Sequence, residues 1–124
     1  MADQATAKKI VNPPHLASHY IDAANMPWEK LGTGSERKVL FHDPVTDQQT
    51  WLCRLAPGAS IPLHEHPGVE QTFVLEGSFS DDEGTCTAGN FVWRPTGSRH
   101  IGRTATGVTF LAFFSKPSRR LPQE

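Results

Sequence analysis

Residues 58–77 read Gly58-Ala59-Ser60-Ile61-Pro62-Leu63-His64-Glu65-His66-Pro67-Gly68-Val69-Glu70-Gln71-Thr72-Phe73-Val74-Leu75-Glu76-Gly77. His64 and His66 are two apart, so on an extended strand both imidazoles leave the backbone on one face. Glu70 keeps the same parity, and Pro67-Gly68 supplies a bend that swings its carboxylate toward the two rings. Beyond Glu70 the alternation continues. Thr72 and Val74 are expected to line an interior, with Phe73 and Leu75 on the opposite face. Two nitrogens and one oxygen on one face make a site for a divalent cation.

A second stretch, Gly89-Asn90-Phe91-Val92-Trp93-Arg94-Pro95-Thr96-Gly97-Ser98-Arg99-His100, carries a short apolar strand into a turn. Pro95 fixes φ on the way in and Gly97 permits a positive φ on the way out, so the chain can reverse and aim His100 at a partner strand. That His100 meets the other three is an expectation about the fold, since spacing alone does not bring it there.

Together these stretches resemble the paired motifs of the cupins, G-x5-H-x-H-x3-E-x6-G at Gly58, His64, His66, Glu70 and Gly77, and G-x5-P-x-G-x2-H at Gly89, Pro95, Gly97 and His100. Nine matches at fixed offsets have a chance probability on the order of 10⁻¹⁰, which disposes of coincidence. The longer second motif ends in Asn where this chain has Thr104, a position that is not a ligand in the family. Softer similarities at Trp28, Lys38-Val39-Leu40, 51–58 and 74–81 resemble a subgroup. It holds the cupin domain of ChrR-type anti-sigma factors, acetylacetone-cleaving dioxygenase and dihydroxyacetophenone dioxygenase. The resemblance covers about residues 28–115 and implies a cupin double-stranded β-helix, an all-β jelly-roll barrel, with His64, His66, Glu70 and His100 as metal ligands.

The rest of the chain is consistent with that class on its own terms. Short strand-like runs recur between Gly and Pro turns with almost no helical periodicity, which is the pattern of a double-sheet β barrel. Glu36–Phe41 and Gln49–Leu55 read as a hairpin about the Asp43-Pro44 turn, with Trp51, Cys53 and Leu55 on one face and Leu52 and Arg54 on the other. His19–Asp22 reads as a short edge strand, followed by a helical turn that Pro27 stops. Gly32-Thr33-Gly34-Ser35 is a plain turn, since no phosphate-binding pattern surrounds it. Ser80-Asp81-Asp82-Glu83-Gly84 reads as a hairpin with solvated carboxylates, lacking the ligand pattern of a calcium loop. Gly107–Phe114 has no polar alternation after Thr109 and reads as a strand buried on both faces.

With 124 residues the chain suits one domain. Residues 1–15 are expected to be a flexible arm, 16–115 a single cupin domain and 116–124 a solvated tail. A hydrophobic fraction of 37% against 20% charged residues describes an ordinary globule, and a formal charge of −1 offers no broad positive field for nucleic acid or anionic membrane. No apolar run approaches a membrane span and no secretion signal opens the chain, so a cytoplasmic location is the default expectation. Cys53 and Cys86 are expected to be free thiols. His15, His19 and His42 lie outside both motifs and read as surface or strand histidines.

Three imidazoles and a carboxylate suit Fe(II), which is favoured here for its redox chemistry, with Zn(II), Mn(II), Co(II) or Ni(II) as alternatives. A six-coordinate ion held this way keeps two positions open, as oxygen-using iron enzymes require. The resemblance therefore implies a mononuclear metal-dependent dioxygenase acting on a small carbonyl compound, a β-diketone or hydroxylated aryl ketone. Glu70 would be a fourth ligand or a displaceable catalytic base, and Arg54, Trp51 and Trp93 are the candidate substrate contacts. A ChrR-like metal-binding regulatory module is the alternative, although no helical sigma-binding stretch precedes the barrel in this sequence; a non-redox cupin isomerase or lyase is a further one. Partners are expected to be a small molecule and a second copy of the chain, since outward Phe73 and Leu75 and the Phe113-Phe114 strand need cover.

Overall fold

The structure is a computed structural model that describes residues 9–123. Ten strands follow in order: β1 (Glu29–Gly32), β2 (Ser35–His42), β3 (Gln49–Leu55), β4 (Ser60–Glu65), β5 (Glu70–Ser80), β6 (Thr85–Thr87), β7 (Phe91–Arg94), β8 (Arg99–Arg103), β9 (Val108–Phe114) and β10 (Arg119–Arg120). All pairings are antiparallel. One layer runs β1-β2-β3-β9-β5-β7, and the other joins β10, β4 and β8 to the far end of β5 and to β6. This is the jelly-roll barrel that the alternation and the paired motifs imply.

β5 belongs to both layers because it bends at Gly77. Its first part, from Glu70 to Phe73, lies between β9 and β7, while Ser78–Ser80 pairs with β6 and Ser80 with Arg103 of β8. Gly77 has φ +74°, and a Cβ there would sit 1.9 Å from the Gly107 carbonyl oxygen, so no larger residue fits without moving the backbone. Just past the bend, Phe79 turns inward over Gly102, where an added Cβ would meet the ring at 2.1 Å.

The core between the layers contains Trp51, Cys53 and Leu55 of β3, Val74 and Phe79 of β5, and Val108, Phe110, Ala112 and Phe114 of β9. The period of two accounts for it. Thr72 and Val74 are 2% and 0% exposed while Phe73 and Leu75 are 38% and 43% exposed, as the parity of Glu70 requires. Cys53 and Cys86 are both free.

Several local expectations are revised. Residues 19–22 form no strand; they run exposed into a 3-10 turn at Ala23–Asn25, whose Ala23 carbonyl accepts from Lys38 Nζ at 2.6 Å. β9 is buried on one face only, because Phe113 remains 40% exposed on the outer side. The tail is exposed but paired: β10 adds to the edge of β4, and Gln123 bonds the Leu63 backbone through both its amide atoms. Residues 1–8 lie outside the described residues, and 9–22 are exposed throughout. No helix among the described residues is long and apolar enough to cross a membrane.

Candidate metal centre

His64 and His100 are opposite one another on the paired strands β4 and β8. A register shift between Ile61 and His64 turns the end of β4 inward. His66 follows the strand end and is held by the second motif's turn, its N–H bonding the Ser98 carbonyl at 2.9 Å and its carbonyl accepting from Gly97 N–H at 2.7 Å. The local fold therefore explains why the two motifs work as a pair: the Pro95-to-Ser98 turn clamps the backbone of one histidine and launches the strand that carries another.

The three rings lie 4.4–5.0 Å apart between centroids and offer three nitrogens mutually within 4.8 Å. All three residues are buried, at 7%, 1% and 9% exposure for His64, His66 and His100. Glu70, itself 7% exposed, brings Oε2 to 2.7 Å from His66 Nε2, while its Oε1 accepts from Thr72 Oγ1 at 3.0 Å. The four residues that the motifs single out are thus neighbours at one point of the barrel wall.

Hydrogen bonding fixes which nitrogen of each ring carries its proton. His64 Nδ1 faces the Pro62 carbonyl at 2.8 Å, which can only accept, so Nδ1 donates. His100 Nδ1 faces Asp81 Oδ2 at 3.0 Å, again an acceptor. Ser98 Oγ donates to the Pro95 carbonyl at 2.7 Å, so its contact with His66 Nδ1 at 3.0 Å has the imidazole donating. Each neutral ring then turns a bare Nε2 lone pair inward. His64 Nε2 and His100 Nε2 face each other at 2.9 Å, and His66 Nε2 has no hydrogen-bond partner, since its close contact with Glu70 is off the ring's bonding direction. Lone pairs and a carboxylate oxygen crowded together in a buried site repel one another unless a cation lies among them. The residues fit a divalent metal, with nitrogen donors of the kind iron, zinc, manganese and nickel accept.

Protonation is a poor substitute. Burial lowers the pKa of His64, and burial together with the Arg94 and His64 charges lowers that of His100 to about 4, Asp81 only partly opposing. Burial works to raise the pKa of Glu70, but the close approach of the His66 ring, the bond from Thr72 and the Arg94 charge outweigh it and lower the pKa, so the carboxyl stays ionised. His64 and His100 are thereby kept as neutral imidazoles beside a carboxylate, the protonation state a metal needs.

Asp81 was expected among solvated carboxylates and is instead an interior group, its side chain 4% exposed. Besides His100 it accepts from Arg94 Nη1 at 2.6 Å and from the backbone N–H groups of Glu83 and Gly84 at 2.8 and 3.1 Å. Burial opposes ionisation, yet these bonds bring its pKa down to about 2. The bend at Gly77 is the cause, since it carries the end of β5 across to the layer that holds His100. Asp81, Arg94 and Ser98 are the site residues that motif reading missed; Ser98 lies inside the second motif, but Asp81 offers no signal beyond being acidic.

The candidate substrate contacts separate. Trp51 is buried against Phe114, ring centroids 4.5 Å apart, with Arg37 over its face at 4.2 Å. It lines an interior cavity of about 200 Å³ that reaches His64, Glu70 and His100 and is otherwise walled mainly by Leu55, Ile61, Phe79, Phe110 and Phe114. Arg120 of β10, paired with His64, stands at the same cavity. Arg54 is a correction. It lies on the outer face, opposite in parity to Trp51, paired with Glu36 at 3.3 Å and lying over Trp28 at 4.0 Å. Trp93 is 59% exposed and outside the interior cavity as well; it borders a separate cleft of about 350 Å³ that meets His100 from the side of Asp81 and Arg94.

The ChrR cupin-like domain family matches residues 16–117 of this chain. Among curated proteins no sequence matches. Among solved structures, a protein of unknown function with a cupin-like fold from Ralstonia eutropha JMP134 is 26% identical with a TM-score of 0.67, the match covering 73% of this chain and 60% of that one. An acetylacetone dioxygenase from Acinetobacter johnsonii superposes with a TM-score of 0.79 at 19% identity, over 93% of this chain and 85% of that one. The anti-sigma factor ChrR of Rhodobacter sphaeroides, solved in complex with SigE, gives a TM-score of 0.67 at 24% identity, over 74% of this chain and 51% of ChrR. The last two likenesses speak to the fold. With the family match spanning most of its length, and a jelly-roll barrel that gathers the histidines of both motifs, this chain belongs to the ChrR cupin-like domain family.

Proposed function

We propose that this protein is a mononuclear metal-dependent dioxygenase acting on a small carbonyl compound, a β-diketone or hydroxylated aryl ketone. The observation that carries the reading is the convergence of three Nε2 lone pairs beside an ionised carboxylate at one end of an apolar interior cavity. His64, His66 and His100 would hold the ion, and Glu70 would be a displaceable fourth ligand whose Oε2, once released from the ion, serves as base. Bound Fe(II) would supply Lewis acidity toward the carbonyl oxygens and redox chemistry toward dioxygen.

The protein's own part is orientation, desolvation and proton handling. Trp51, Phe110 and Phe114 would pack the apolar body of the substrate and exclude water, which strengthens every polar interaction at the cavity's metal-binding end. A carbonyl compound with an acidic C–H would lose that proton to Glu70 Oε2, whose other oxygen is kept in place by Thr72. Likeness in fold to the Acinetobacter acetylacetone dioxygenase supports the choice of substrate class.

Oxygen uptake by iron-loaded protein, compared with the His64→Ala variant across a panel of diketones and aryl ketones, tests the reading. Substrate-dependent uptake by the parent alone is expected; identical traces from the two proteins would remove the enzymatic claim for those substrates. Turnover that persists without oxygen would point to an isomerase or lyase instead.

The family match favours a second reading, a ChrR-like regulatory module with Zn(II) at the same residues. Metal analysis after purification without chelator or nickel resin separates the two, stoichiometric zinc with no oxygen uptake favouring the regulator. A pull-down with candidate sigma factors that recovers none would dismiss the sigma-binding version.

A further inference from the structure

The outer face of the β1-to-β7 layer is covered over only part of its width. Trp28 of the chain's own N-terminal segment lies across Lys38 and Arg54 of β2 and β3, with the charged groups 4.7 and 4.0 Å from its ring. Farther along the same face the register aligns Leu52, Leu111, Phe73 and Phe91 across four strands, and Phe113, Gln71 and Trp93 in the next row. Phe73, Phe91, Trp93 and Phe113 remain 38%, 50%, 59% and 40% exposed. A contiguous aromatic patch of this kind is the signature of a covered surface.

Upstream of that cover is a segment with the complementary problem. Residues 9–22 hold no strand and are exposed throughout, yet they carry Ile10, Val11, Leu16, Tyr20 and Ile21 at 89%, 78%, 62%, 95% and 50% exposure. Their course is set by a 3-10 turn at Pro14–Leu16 and by the Ala23 carbonyl tied to the buried Lys38. The segment therefore leaves its own barrel from the covered edge of the same sheet, with its apolar side chains unburied.

We propose that this protein forms a two-fold dimer through the outer faces of these sheets, each copy laying its residues 10–21 onto the bare aromatic half of its partner's face. An isologous arrangement suits the geometry, because arm and patch lie on one face and a two-fold axis satisfies both arms at once. The five side chains of each arm expose on the order of ~700 Å² of largely apolar area, so the two arms alone bring ~1,400 Å² to the contact, within the range of a stable interface. A dimer closed this way leaves the interior cavity of each copy untouched, so it stands or falls independently of the dioxygenase reading.

Light scattering on the full chain is the test, at concentrations of about 10 and 100 μM. The expected mass is twice 13.7 kDa for the parent. A Tyr20→Asp/Ile21→Asp variant is expected to fall to the monomer mass, with melting temperature and cobalt stoichiometry characteristic of a folded barrel; Phe113→Glu, on the face itself, is expected to do the same. A monomeric parent would overturn the proposal. So would a dimer that survives the arm substitutions, or an arm variant that fails to fold, which would show that the segment supports its own barrel.

Discussion

His64 Nε2 and His100 Nε2 stand 2.9 Å apart on facing strands, and each ring's only proton is already engaged, one by the Pro62 carbonyl and the other by Asp81. Two lone pairs brought together in a buried site make the metal-free barrel strained at this point, and binding a cation relieves that strain. Metal binding and fold stability are therefore coupled.

Titration of chelator-treated protein with Co(II) or Zn(II) is expected to show one ion per chain and a rise in melting temperature on saturation. Replacing His64, His66 or His100 by Ala is expected to weaken binding by ~100-fold or more, since each removes one donor from a small set. Calorimetry and thermal melts check both statements.

Asp81→Asn is expected to weaken the same metal by ~10–100-fold, because it removes the negative charge that holds His100 in its donating tautomer. The neighbouring Asp82→Asn serves as the control: Asp82 is 92% exposed and paired only with Arg103, so no change is expected. Equal affinities for Asp81→Asn and the parent would show that Arg94 and the backbone position His100 unaided.

Acid is expected to destabilise the metal-free protein over a defined window. The folded-state pKa of His100 is depressed from 6.5 to about 4, so the unfolded chain takes up the proton first. Stability is unaffected well above pH 6.5 and falls as pH drops from there toward 4, with His64 acting in the same direction. Asp81 stays ionised through this range, and its contribution is lost only as pH falls from 3.8 toward 2. Thermal melts in chelator are expected to be flat above pH 7 and to fall by ~5 °C or more by pH 5.

Gly77→Ala is expected to cost several kcal/mol, of the order of ~3, because it combines a positive φ with a collision against the Gly107 carbonyl. Gly84→Ala, where an added Cβ meets nothing within 4 Å, is the matched control. Urea unfolding of the two variants measures the difference.

Arg54→Ala is expected to leave metal affinity and any oxygen uptake unchanged, since the side chain is on the outer face with Glu36 and Trp28. Trp51→Ala, by contrast, opens the interior cavity and is expected to lower stability by ~3–5 kcal/mol.

From residues alone one could read the barrel, the inward parity of Thr72, Val74, Trp51 and Cys53, and the histidines that meet at its wall. These rest on short-range rules: side chains alternate along a strand, glycine and proline mark turns, and donor residues at fixed offsets share a face. The parity that separates Arg54 from Trp51 was equally legible, yet the choice of Arg54 as a substrate contact runs against it, and the structure sets the arginine outside with Glu36 and Trp28. What tertiary structure alone decided depends on contacts between distant segments. Asp81 becomes a partner of His100 because β5 crosses between layers at Gly77, and the tail becomes a strand because the edge of β4 lies open to it. The inward lone pairs of the three rings follow from acceptors contributed by Pro62, Asp81 and Ser98, and the last two are brought to the rings by the fold. A single residue's spacing carries no record of such partners, because the backbone path that joins them is set by the packing of the whole barrel.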